Sequence, residues 1–282
     1  MLFSILEQSL ILGVMVLGVY ITYRILDFPD LSADGTFPLG GAIAAILLVK
    51  GVSPTMAVLA AAAGGALAGA VTGILHTKLK ITNLLSGILV MTGLYSINLR
   101  IMGKSNIHLF SVTHMFSDTT VESKTTLTLL LIVGLLITGM ILFFKTKFGF
   151  ILRALGDNEN LVISLGVNEK TLKIVGLALG NSLIAISGAL FAQYQGFADV
   201  GMGVGIIIIG LASIILGELV CNKLKWLSPL VMIIIGAILY RVIIVLSLNL
   251  GLQASDLKIL TAVIIVLIIG IKENIEKIRI GR

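Results

Sequence analysis

Nine apolar runs, separated by short polar connections, order the chain: residues 9–26, 36–49, 55–75, 84–102, 127–144, 174–194, 204–220, 227–248 and 259–271. Most approach the ~20 residues that a helix needs to cross hydrocarbon. The second and ninth are short, so each is either a tilted span or a broken helix buried in protein. The pattern predicts an all-α, polytopic membrane protein of about eight to ten spans.

Polar residues inside this pattern mark the places where chemistry or tight packing is expected. Residues 26–40 hold Asp27, Asp30 and Asp34 together with Pro29 and Pro38, and the prolines interrupt any continuous helix and free backbone groups that must be satisfied elsewhere. Asp34 either caps the short helix that follows or, as an acid beside a broken helix, contacts a substrate amine or hydroxyl. Asn98 and the pair Asn181-Ser182 lie within apolar runs and serve either as interhelical hydrogen-bonding groups or as pathway groups. Gly65, Gly69 and Gly73 recur at a spacing of four, as do Gly176 and Gly180, which lets helix backbones approach closely.

The longest connection rich in cations runs over residues 145–173. In its middle, residues 157–165 read as a short helix with Asp157 as N-cap and Gly166 as a left-handed stop. Leu161, Val162 and Leu165 share one face of that helix, with Asn158, Glu159 and Ser164 largely on others. It is either a docking surface for a soluble partner or a loop with a helical turn or two resting on the headgroups.

Composition narrows the class. With 282 residues, 57% hydrophobic, 12% charged and a mean hydropathy of +1.12, the chain has too much apolar surface for one water-soluble core. The formal charge of +6 raises nucleic acid as a partner, but the cations are scattered in ones and twos between apolar runs and read as cytoplasmic anchors. His76-Thr77-Lys78-Leu79-Lys80, the loop 145–173, Lys223 with Lys225, and the tail 272–282 therefore face the cytoplasm, and residues 195–203 and 249–256 face outward. Nine spans place the N-terminus outside; it moves inside if the second run does not cross. The polar loop 104–126 is then extracellular and either meets a binding protein or takes no part. No cation precedes Glu7 and no small-residue cleavage site closes the first run, which is expected to remain as a membrane helix. Cys221 is alone, and His76, His108 and His114 have no ligand partners at metal spacing. The run Gly201-Met202-Gly203-Val204-Gly205 lacks the strand and acidic residue of a nucleotide loop, and no phosphate-binding Gly-x-x-x-x-Gly-Lys-Ser/Thr motif occurs.

Several segments resemble one family. Arg153-Ala154-Leu155-Gly156-Asp157-Asn158, then Leu165-Gly166-Val167, Lys173, Ser187-Gly188-Ala189-Leu190 and residues 210–217 are similar to permease subunits of bacterial ABC importers of the branched-chain amino acid and ribose type. Ser86-Gly87-Ile88-Leu89 and residues 93–103 resemble a narrower branch, permeases of tryptophan or tyrosine uptake systems that work with a lipoprotein. The resemblance implies a type II importer-like helix bundle in the bacterial plasma membrane, one permease domain over residues 1–282. A coupling helix would sit in a groove of the ATPase, drawn from Arg153, Gly156, Asp157, Asn158, Glu159, Asn160 and Gly166, with Arg153 and Glu159 as surface contacts and the two glycines as bends. It places the broken second helix, with Asp34-Gly35, beside the translocation path, for which Asp34, Asn98, Asn181 and Ser182 are the candidates. The implied partners are ABC ATPase subunits that bind ATP and Mg, an extracellular substrate-binding lipoprotein, a second permease copy and membrane lipid. The chain itself holds no cofactor on this reading and is not an enzyme, and the cargo is an aromatic or hydrophobic amino acid, with sugars or nucleosides left open. An ion-coupled secondary transporter is the competing class; it needs ionisable groups within its spans, which here are almost free of them.

Overall fold

The computed structural model describes residues 2–117, 122–221, 228–253, 256–257, 259–267 and 270. The cations at 223–225, the tail 272–282, residues 118–121 of the loop 104–126 and part of the ninth apolar run lie outside the described residues. In chain order the elements are α1 (Leu2–Val19, prolonged by a wider π turn over Tyr20–Ile25), α2 (Ala33–Val49), α3 (Pro54–Thr77), α4 (Asn83–Met102), β1 (Asn106–His108), α5 (Glu122–Lys145), α6 (Lys147–Asp157), α7 (Glu159–Ser164), α8 (Glu169–Gln195), β2 (Phe197–Asp199), α9 (Ile206–Cys221) and α10 (Pro229–Asn249). A further helix, α11, covers residues 259–267.

Among the described residues six helices are long and apolar enough to span a membrane, and α2 and α9 are shorter apolar ones. The second run is short, as the pattern predicts. The seventh is short too, because its first residues form the turn before α9. Of the two prolines expected to break the chain, Pro29 lies in the break between α1 and α2, whereas Pro38 sits inside α2. There it costs one N–H near the helix start, and Gly203 packs against both its ring and the Asp34 carbonyl that this N–H would have met.

Helices α1 and α8 form the centre: 78% and 61% of their apolar windows are buried, against 22–39% for the four other long helices. They run antiparallel, with Gly18 against the Gly180 carbonyl and the Ser187 hydroxyl donating to the Ile11 carbonyl at 2.6 Å. Against α8 lies the glycine face of α3, where Gly65, Gly69 and Gly73 meet the Asn181 carbonyl, the Leu177 carbonyl and the Ile174 backbone. A Cβ at any of the three would strike backbone, so the spacing read from the sequence is a contact between main chains.

The second half of the chain repeats the first with its direction reversed. After α1, residues 26–32 fold back to the level of Asn181, midway along α8, and α2 then runs toward the end that carries β1 and β2, placing Ile43 on Gly64 and Leu48 near Ala57 and Ala61. After α8, residues 200–205 fold back to Asp34, and α9 runs toward the opposite end beside α1, with Gly210 on Met15 and Val19 and an Arg24–Glu218 ion pair at 3.1 Å. α3 returns antiparallel to α8, and α10 returns antiparallel to α1, bringing Gly13 to Ile234 and Gln8 to Arg241. α4 closes the first set against Gly35, and α11 closes the second through Thr261 and Tyr240, 2.9 Å apart. Such inverted repeats, each with a discontinuous helix, place the midpoint of the bundle at their interface. The antiparallel β1–β2 pair, with Ile107 opposite Ala198, seals one end of the bundle.

Candidate functional site

The N-termini of α2 and α9 meet at the centre, and Asp34 joins them. It lies in the first turn of α2, yet its carboxylate accepts hydrogen bonds from the backbone N–H groups of Gly205 (2.8 Å) and Ile207 (3.0 Å) at the start of α9. The expected cap of the helix that follows Asp34 is therefore corrected to a cap of α9. The reason is local: the residue before α9 is Gly205, at φ +83°, which has no side chain to cap with. Each helix N-terminus carries about half a positive charge, so two of them side by side amount to about one, which a single carboxylate offsets.

Below this joint, Asp30 ties the break to α8. One carboxylate oxygen accepts from the Ser32 N–H at 2.9 Å and the other from the Asn181 side-chain amide at 2.7 Å, while the Ser32 hydroxyl donates to the Asn181 amide oxygen at 3.2 Å. All three residues are buried, and Gly87 of α4 leaves room for the turn. Asn181 thus belongs to the centre, but its partner Asp30 was not singled out in the sequence; Pro29-Asp30-Leu31-Ser32, an Asx-turn pattern, is the signal that could have found it. Asn98 is buried on the other side of α2, where its amide donates to the Gly35 carbonyl at 3.2 Å and its amide oxygen has no partner among the described residues. Ser182, next to Asn181, is half-buried and is not among the residues of this network. Nearer the β1–β2 end, Glu7 accepts from Thr126 (2.7 Å) and Tyr194 (3.1 Å), and Arg241 donates to Gln8; Arg241 was not singled out in the sequence, being a single polar residue in an apolar run.

At the opposite end, the connection between α5 and α8 holds two helices where one was expected. Asp157 ends α6, and Asn158, extended at φ −158°, both closes α6 and caps α7 by accepting from the Leu161 N–H at 3.1 Å. Two good capping residues stand side by side in the sequence, and α6, amphipathic from Lys147 onward, runs through the first of them. Gly166 provides the left-handed stop at φ +75°. Gly156 is no bend: it lies within α6 and packs against the Ile25 carbonyl, anchoring the connection to the end of α1. The Arg153 guanidinium lies 4.5 Å over the Phe144 ring. Val162 is fully buried, whereas Leu161, Ile163 and Leu165 are 50%, 49% and 65% exposed, so Val162 does not share the outer face expected of it. Asn160 is exposed, and Glu159 pairs with Lys173 of α8 at 2.8 Å. The result is an anchored helical elbow that presents three apolar side chains to solvent.

The family model described as branched-chain amino acid transport system, permease component, matches residues 1–271. The tyrosine transport system permease protein of Clostridioides difficile is 49% identical over 263 residues, 93% of this chain and 88% of that one. An uncharacterized protein of Rickettsia prowazekii is 33% identical over 268 residues, 94% and 95% of the two chains. The ribose import permease protein RbsC of Escherichia coli K12 is 26% identical over 225 residues, 77% and 68% of the two. No solved structure gives a significant match.

Proposed function

The chain belongs to the permease components of branched-chain amino acid transport systems, multi-pass ABC importer subunits of the bacterial plasma membrane, and we propose that its own cargo is an aromatic amino acid, tyrosine foremost. The observation that carries the cargo is the 49% identity, over most of both chains, to a protein named for tyrosine transport. On this reading the whole chain is one permease domain that works as a pair of copies in lipid, takes tyrosine from an extracellular lipoprotein and is driven by separate ATPase subunits, which bind ATP and Mg. The α6–α7 elbow faces the cytoplasm and seats its exposed Leu161, Ile163 and Leu165 in the ATPase. The centre held by Asp30, Asp34 and Asn181, with Asn98 beside it, borders the path, and alternating access follows from motion of the two inverted halves against each other.

The test is uptake by vesicles that contain the permease, its ATPase and its binding protein. Labelled L-tyrosine should accumulate only with internal ATP, and L-tryptophan or L-phenylalanine should compete while ribose, nucleosides and leucine do not. Competition by ribose or leucine, with tyrosine left outside, would assign another cargo; accumulation driven by an ion gradient without ATP would restore the secondary-transporter reading.

A further inference from the structure

Arg241 stands in α10 twelve residues after Pro229 and eight before Asn249, roughly 18 Å and 12 Å from the two helix ends, well inside an apolar span. Among the described residues its polar partner is the neutral Gln8, and its Nε is buried with no partner. No carboxylate among the described residues forms an ion pair with it. A guanidinium in hydrocarbon is costly and is stabilised by an anion held nearby. Arg241 lines a cavity of about 500 Å³ between α1, α9, α10 and α11, within the range of small-molecule sites. Asp34 lines the same cavity, Leu12, Ile209, Ile244 and Leu257 give it an apolar wall, and Tyr240 and Thr261 add hydroxyls. One cation, one carboxylate with lone pairs to spare and an apolar wall complement a zwitterion with a large side chain.

We propose that this cavity is a transit site for the cargo, in which Arg241 holds the carboxylate of an aromatic amino acid, Asp34 faces its ammonium group and the apolar wall takes the ring. The assignment rests on the aromatic amino-acid reading given above. The anion that Arg241 selects could equally be a phospholipid headgroup, and the experiment separates the two.

In the complete transporter, 4-azido-L-phenylalanine should photolabel α9 and α10 around Ile209 and Ile244, and excess L-tyrosine should protect them. Labelling confined to other elements overturns the site, and protection by phosphatidylglycerol but not by L-tyrosine assigns it to lipid. Arg241→Gln, at equal assembly, should lower L-tyrosine uptake about tenfold or more, as expected for loss of a charge-assisted hydrogen bond, with tyrosine affinity of the binding protein unchanged. Arg241→Lys should keep part of the activity. Undiminished uptake by an assembled Arg241→Gln transporter removes the site while the cargo reading stands. A parent transporter that takes up tyrosine-free substrates only sinks both. If the Gln variant does not assemble, the photolabelling of the parent protein decides.

Discussion

Asp30 and Asn181 tolerate one arrangement of donors and acceptors. The carboxylate accepts on both oxygens, from Ser32 and from Asn181, and Asn181 spends the rest of its amide on the Leu177 carbonyl at 3.1 Å and on the Ser32 hydroxyl. Asp30→Asn turns one acceptor into a donor and sets it against an N–H, at a cost of about 1–3 kcal/mol for a buried group left unsatisfied. The purified permease should lose several degrees of thermal stability, read by a thermal-shift measurement in detergent. Combining Asp30→Asn with Asn181→Asp should restore the pairing between positions 30 and 181, so the double variant should be clearly more stable than the sum of the two single losses. Simple additivity would reduce the network to independent contacts. Asn181 was legible in the sequence as a buried amide that needs partners, but its partner was not, because a turn aspartate beside a proline looks the same whether it faces solvent or the centre of a bundle.

Helix α3 shows what spacing alone can reveal. Its glycines at intervals of four were readable as a close-approach face, and the structure supplies the opposing surface, the backbone of α8. Gly69→Ala pushes a methyl group into the Leu177 carbonyl and should lower both the yield of folded protein and its thermal stability, whereas Gly93→Ala, with open space beside it in α4, should change neither. Equal tolerance at the two positions would mean that the α3–α8 contact can relax. The short length of α9 was not readable, because an apolar run has the same composition whether it crosses the bundle or starts at its centre; only the glycine turn before it hints at the break. In the α6–α7 elbow, the stop at Gly166 was legible and the cap was misplaced by one residue. A cysteine at Asn160, exposed on α7, should react with a membrane-impermeant maleimide in inside-out vesicles and stay protected in intact cells. Labelling in intact cells would reverse the orientation of every element.

At the scale of the whole molecule, the elbow and the centre are joined by a short physical chain. Glu159 of α7 pairs with Lys173 in the second turn of α8, where Lys173 is 19% exposed and Glu159 45%. Eight residues further along α8, Asn181 holds Asp30 and with it the break before α2, and Asp34 in the first turn of α2 holds the start of α9. A displacement of α7 by a partner therefore reaches both half-helices through α8. Exposed ion pairs contribute about 0.2–1 kcal/mol, too little to decide stability but enough to change a coupling equilibrium by up to about fivefold. Glu159→Lys or Lys173→Glu alone places like charges at the joint, and each should lower tyrosine uptake per ATP hydrolysed by about two- to fivefold while leaving assembly and ATP turnover in place. The double exchange rebuilds the pair in reverse and should bring the ratio back toward the parent value, which distinguishes a joint from mere proximity. If the double variant is as uncoupled as either single one, the Glu159–Lys173 pair is not the joint.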